Sequence, residues 1–251
     1  MGLDKFYTKP EIVDFCIDKI NFSKYKTIIE PSAGNGAFSN EIECLAYDIL
    51  PEHSNIIEQD FLTLELNQSK TPLLIVGNPP FGRQNSLALK FIKRSCKYCD
   101  CFAFILPLSF RKQSVKNKIP LFFHLMSEFI LPKNSFTSNG VDYNVPCVFQ
   151  IWEKQSKTRI IPKNIKNSKY FKFVKKNENP EFSIRRVGFY AGKLSKDINK
   201  NESTHYFIKV LDDIFFDIWD KIDFSKENTV GPRSISKQEI YIELNSGGLN
   251  V

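Results

Sequence analysis

Residues 73–85 read LLIVGNPPFGRQN, and they decide how the rest of the chain is read. Leu73–Val76 is a continuous apolar run, the pattern of a strand buried on both faces. It runs into Asn78-Pro79-Pro80-Phe81 and stops. Proline has no N–H for a ladder and holds φ near about −65°. A plain turn would end a strand more simply. Two successive prolines also fix the direction of a backbone carbonyl beside a polar amide.

Around this stretch, residues 1–155 alternate helical and strand patterns, which implies an α/β fold with a mainly parallel sheet covered on both faces. KPEIVDFCIDKI (9–20) places Ile12, Phe15, Cys16 and Ile20 at helical spacing, with Thr8 as the N-cap and Pro10 in the first turn. KTIIEPSAGNGAF (26–38) predicts a strand, a glycine-rich turn and a helix from Ala37. CLAYDILP (44–51) and NIIEQDFL (55–62) predict two more strands, and SLALKFIKRSC (86–96) a helix. CFAFILPLSF (101–110), SEFILP (127–132) and CVFQIWEK (147–154) complete a sheet of about seven strands. From residue 156 the chain turns Lys- and Asn-rich, and 156–251 reads as a smaller α+β segment. In it HYFIKVLDDIFFDIWDKI (205–222) predicts one helix, with Phe207, Val210, Leu211, Ile214, Phe215, Ile218 and Ile222 on an apolar face.

Composition bounds the function. Over 251 residues, 35 Lys and Arg face 28 Asp and Glu, a net charge of +7 that favours polyanionic partners. The same excess could follow from the chain's richness in Lys, Asn, Ile and Phe, the residues of AT-rich codons. No apolar run reaches a membrane span and no secretory signal opens the chain, so an intracellular, soluble protein is expected. Cys96, Cys99 and Cys101 are close enough to suggest a metal. No second ligand pair matches them, so reduced thiols and no metal are expected.

In an open α/β sheet, ligands bind beyond the carboxyl ends of the strands. In Glu30-Pro31-Ser32-Ala33-Gly34-Asn35-Gly36 an acidic residue ends a strand and two glycines let the backbone pass close to a ligand. The turn lacks the dinucleotide fingerprint, because Ser39 stands at its third glycine position, and it lacks a phosphate-loop lysine. An acidic residue before the turn suits a nucleoside with an amino-acid tail better than a pyrophosphate. Asp48 follows Glu30 by 18 residues, a spacing that suits ribose hydroxyls. In Gln59-Asp60-Phe61 the carboxylate can accept from an adenine amino group and the ring can cover the base.

In this order the motifs resemble the amino-methyltransferases that use S-adenosylmethionine, above all the adenine-N6 DNA enzymes with a (D/N)-P-P-(Y/F) signature. FYTKPEIVDFCIDKI (6–20) resembles their N-terminal cofactor motif, IIEPSAGNGAFS (28–39) the glycine motif, and QDFLTLELNQSKTPLLIVGNPPFG (59–82) the adenine-binding and catalytic motifs. FAFILPLSFRKQS (102–114) resembles a later strand motif, and the order resembles the gamma class that includes the TaqI enzyme. The resemblance covers roughly residues 5–155. It implies a Rossmann-like seven-stranded sheet, a catalytic domain at 1–155 and nucleic-acid recognition by 156–251, which is small beside many target-recognition domains. It further implies that Tyr7 and Thr8 close over the methionine end of the cofactor and that Asn78 and Pro79 accept the amino protons, with Pro80 stiffening the loop. Phe81 then stacks on the target base, and Phe136 and Tyr143 from NSFTSNGVDYNVP (134–146) supply a second wall. Arg83, Arg111, Lys112 and Arg233 are candidates for phosphate contacts. DNA is the expected partner, with RNA next. A protein-glutamine methyltransferase and a catalytically silent nucleic-acid-binding subunit are the other readings.

Overall fold

In the computed structural model of this chain, which describes residues 6–66, 71–138, 140–161, 164–224 and 233–246, Leu73–Gly77 forms a strand buried along its whole length. Contacts divide the chain into two compact units, Met1–Ile161 and Pro162–Val251.

In the first unit the elements run β1 (Tyr7–Thr8), α1 (Pro10–Ile17), β2 (Thr27–Glu30), β3 (Leu45–Asp48), β4 (Ile57–Glu58) and β5 (Leu73–Gly77). They continue with α2 (Ser86–Ser95), β6 (Cys101–Pro107), α3 (Gln113–Lys116), β7 (Phe123–Ile130), β8 (Phe136–Ser138), β9 (Val141–Tyr143) and β10 (Cys147–Lys154). Seven strands form one sheet in the order β4-β3-β2-β5-β6-β10-β7. The pairs from β4 to β6 are parallel, and β10 runs antiparallel to both β6 and β7. This is a Rossmann-like, mainly parallel sheet, with its chain reversal between β2 and β5.

Alternation along the strands explains two apolar layers. Leu73 and Ile75 point into one, with Phe102, Phe104, Leu106, Phe91 and Trp152; Leu74 and Val76 point into the other, with Ile12, Phe38, Ala103, Ile105 and Phe149. Each fully buried Leu or Phe contributes about 1.5–3 kcal/mol. A separate three-stranded sheet, β1-β8-β9, brings the amino-terminal strand against residues 136–143.

The second unit holds β11 (Phe171–Val174), β12 (Phe182–Arg185), β13 (Leu194–Ser195), β14 (His205–Val210), α4 (Ile214–Trp219) and α5 (Lys237–Asn245). Its antiparallel sheet has the order β11-β14-β12-β13. Ser236 caps α5, accepting from Glu239 N while Glu239 Oε2 accepts from Ser236 N.

Three expectations change. The predicted helix over 205–222 is a strand followed by a short helix. The β-favouring run His205–Val210 lies between β11 and β12, and Asp212 Oδ1 then accepts from Ile214 N at 2.9 Å to start α4. The helix expected from Ala37 is a series of turns, with only isolated helical bonds such as Asn40 N to Gly36 O at 2.9 Å. Thr8 does not cap α1: it sits in β1, the cap position is Lys9, and no side chain fills the capping role. Among the described residues no helix is long and apolar enough to cross a membrane.

Candidate active site

The carboxyl ends of β2, β3 and β5 deliver Glu30, Asp48 and Gly77, and the loops that leave them are tied together. Asp48 Oδ2 accepts from Gly34 N at 2.8 Å and Oδ1 from Leu50 N at 2.8 Å, so one carboxylate holds the glycine turn. Ala33 N donates to Tyr47 O at 2.9 Å, and Ser32 Oγ to the Asn78 carbonyl at 3.4 Å. Gly34 has φ +55°, and a Cβ there would lie 3.6 Å from the Tyr7 ring, so that ring lies against the turn. The Tyr7 hydroxyl donates to Glu52, whose own N–H donates to Gly34 O.

Glu30 is buried and accepts from Ser39 N at 2.9 Å. Burial pushes its carboxyl up to about 8, against the lowering effect of hydrogen bonds from Ser39 and Phe38. Gly77, at φ +147°, lies against it: an added Cβ would come 3.3 Å from Glu30 Cγ and 3.6 Å from Pro31 Cδ. No side chain larger than hydrogen fits at Gly77 without displacing Glu30, and Ser32 Oγ ties the glycine turn to the start of the Asn-Pro-Pro-Phe loop.

Asn78 is the central group. Its Nδ2 donates to the Phe6 carbonyl at 3.5 Å and to Thr8 Oγ1 at 3.2 Å. A carbonyl can only accept, so this contact sets which end of the amide is nitrogen. Asn78 Oδ1 is left buried without a hydrogen-bond partner. Among the described residues, no donor is bonded to the Pro79 carbonyl either. Beyond the prolines the backbone is strained, with Gln84 at φ 53° and Asn85 at φ 64°. Asn85 Nδ2 anchors this bend to Ser109 Oγ at 2.7 Å.

The remaining candidates divide. Tyr143 is 44% exposed and stacks on Phe6, with ring centroids 4.5 Å apart. Lys9 Nζ meets Asp142 Oδ1 at 2.7 Å on the same small sheet. Phe6, which the sequence reading passed over, thus joins Asn78 to Tyr143. Phe136 is only 1% exposed, a core residue paired with Thr8 across β1 and β8, and supplies no wall to a ligand. Phe61 is likewise 1% exposed and stacks on Phe91 at 5.7 Å, so its ring belongs to the core rather than to a base. The exposed aliphatic residues after Asp48 are Ile49 (52%) and Leu50 (53%). Asp60 Oδ1 accepts from Leu62 N at 2.8 Å.

Phe81 is half-buried against the second apolar layer, and Arg83 is exposed. Arg111 pairs with Glu128 at 2.9 Å, as does Lys116, and Gln150 Nε2 donates to the same carboxylate at 2.7 Å. Burial alone would raise Glu128, but Lys116 and Arg111 hold it below the usual carboxylate range. Arg111 is therefore committed to an internal network. Lys112 occupies the position before α3, and Arg233 lies over the Phe189 ring at 5.9 Å. Cys99 and Cys101 are buried and Cys96 is half-buried; burial pushes the Cys101 thiol up to about 12. Among the described residues no group of three or more His, Cys, Asp or Glu is placed to hold a metal ion.

The residues present fit S-adenosylmethionine. The Asp48 carboxylate at a strand end holds the glycine turn, the left-handed Gly34 lets backbone pass close to a ligand, and the unpartnered Asn78 Oδ1 awaits a donor beside it. The topology defines a Rossmann-like α/β fold class, with these residues gathered at the carboxyl ends of its strands. No family model matches the chain. It is 30% identical over 97 residues to the type II methyltransferases M.HincII and M.HindII of Haemophilus influenzae, covering 35% of this chain and 19% and 18% of those proteins. The match thus spans under a fifth of the length of these curated relatives. Among solved structures it is similar to the 23S rRNA methyltransferase ErmE, with TM-score 0.47 and 15% identity over 61% of this chain and 71% of that one.

Proposed function

We propose that this chain is an S-adenosylmethionine-dependent methyltransferase that methylates the exocyclic N6 of adenine in nucleic acid, DNA foremost. One observation carries the reading: the Asn78 amide is held through its nitrogen and keeps its oxygen buried and free. When bound, S-adenosylmethionine would supply an electrophilic methyl to the N6 lone pair, the electron pair of the broken carbon–sulfur bond remaining on sulfur. Asn78 Oδ1 and the Pro79 carbonyl accept the two amino hydrogens and favour the pyramidal nitrogen. Their fixed dipoles stabilise the positive charge that develops there. The methylated nitrogen is acidic while cationic, so its proton passes to water without a strong base. The proposed step needs no catalytic histidine or cysteine.

Tyr7 and Asp48 shape the glycine turn for the cofactor, and Ile49 or Leu50 supplies the apolar cover that Phe61 does not. Phe81 and the Phe6–Tyr143 pair flank the base, which must be flipped from a duplex or come from a single strand. DNA is favoured by the resemblance of EPSAGNGAF and QDFL to the DNA enzymes and by the match to the type II methyltransferases. The test is incubation with methyl-labelled S-adenosylmethionine and separate pools of duplex DNA, single-stranded DNA, RNA and a glutamine-bearing release-factor-like protein. N6-methyladenine in DNA is expected. Label in RNA alone moves the same chemistry to RNA, and label only on protein glutamine overturns the reading.

A further inference from the structure

The second unit carries a cleft of about 770 Å3 that the chemistry above leaves unused. Lys175, Lys176, Arg186 and Lys237 line it, and Glu202 is its one carboxylate. None of the four cations is ion-paired with a described carboxylate. Aromatic rings flank three of them, and Lys176 Nζ also donates to the Lys200 carbonyl at 2.9 Å, a neutral acceptor that leaves its charge in place. The Arg186 guanidinium lies 5.0 Å over Tyr206, Lys237 Nζ lies 4.8 Å from Phe173 and 5.6 Å from Tyr206, and Lys176 Nζ lies 6.0 Å from Phe207. Such contacts steady a cation without neutralising it. Arg186 Nε is buried without a hydrogen-bond partner, a charged donor that lacks its acceptor.

The cations come from three separated segments: the turn after β11, the residue after β12, and the first turn of α5. That spread suits a chain of phosphates better than one isolated anion, and the whole protein carries +7. Tyr206 is already covered by Arg186 and Lys237, so the cleft is furnished for backbone rather than for stacked bases. We infer that it binds the phosphodiester backbone of a nucleic-acid strand, an inference that rests on the nucleic-acid reading of the substrate. Phosphate contacts of this kind fix register and carry most of the salt-dependent affinity.

The experiment measures binding of fluorescein-labelled single-stranded DNA, duplex DNA and RNA to the full chain by anisotropy, between 50 and 200 mM salt. Wild type is compared with a Lys175→Gln, Lys176→Gln, Lys237→Gln variant. The expected result is a loss of about tenfold or more and a log–log salt slope shallower by about 2–3, in whichever pool wild type binds. Affinity for S-adenosylmethionine should be unchanged. If wild type methylates nucleic acid and the variant binds it with equal affinity and slope, the cleft is not the site and the catalytic reading stands. If wild type binds no nucleic acid, both fail. Should the triple variant melt early, Lys175→Gln alone is expected to lose about threefold, and unchanged affinity overturns the inference.

Discussion

Asn78 Nδ2 lies 3.2 Å from Thr8 Oγ1, and the amide oxygen on the other side is buried with nothing bonded to it. The amide is therefore preorganised before any ligand arrives. Asn78→Ala should lower turnover by about 10²–10³-fold, the range for loss of one preorganised polar group. Cofactor affinity should stay within a few-fold, as measured by calorimetry beside single-turnover kinetics. An equal loss in both would mean that Asn78 acts as a binding residue alone.

Gly77 lies against Glu30. Ala there needs a backbone near φ +147° and a Cβ 3.3 Å from Glu30 Cγ. Gly77→Ala is expected to destabilise the protein by about 1–3 kcal/mol in urea titration, through strain and forced displacement.

Glu30 makes stability pH-dependent. Its native carboxyl sits at about 8, raised by burial above its ordinary value of 4.5, so between these values the native state holds a proton that the unfolded chain has lost. Stability contributed by the neutral form is present below about pH 4.5 and is lost as pH rises through about 8. The unfolding free energy, measured by urea titration at successive pH values, should fall across this window by an amount on the order of a few kcal/mol. Glu30→Gln should flatten the profile; an unchanged slope would place its origin elsewhere.

Phe61 tests the division between core and site. With its ring enclosed beside Phe91, Phe61→Ala should cost about 3–5 kcal/mol of stability. Phe61→Leu should leave cofactor affinity nearly unchanged at temperatures where the protein is folded. A large affinity loss in Phe61→Leu would return the ring to the adenine.

The sheet is legible in the sequence wherever a strand is an unbroken apolar run, as in Leu73–Val76 and Cys101–Leu106, because two-sided burial leaves no polar alternation to confuse. His205–Val210 misleads because its apolar residues continue into Ile214 and Phe215 at spacings that also suit one helix; the partners β11 and β12, far away in sequence, decide for strand. The acidic and proline positions of the candidate site are readable from their place after strands. Phe61 and Phe136 are not, because an aromatic next to a polar residue looks the same whether its ring faces a ligand or the core. Phe6 escapes notice for another reason: it contributes a main-chain carbonyl and a stacking partner, neither of which has a residue signature.

The contacts of the Asn78 amide span 70 and 72 positions along the chain, and they require the amino-terminal strand to be seated beside β8. The pairing of β2 with β5 needs neither. Long-separation contacts are slow to close. In refolding, the central sheet and its aromatic core can thus regain native fluorescence before the amide is turned into position. Recovery of the proposed activity should trail recovery of tertiary structure, with the candidate site as the last part of the unit to mature.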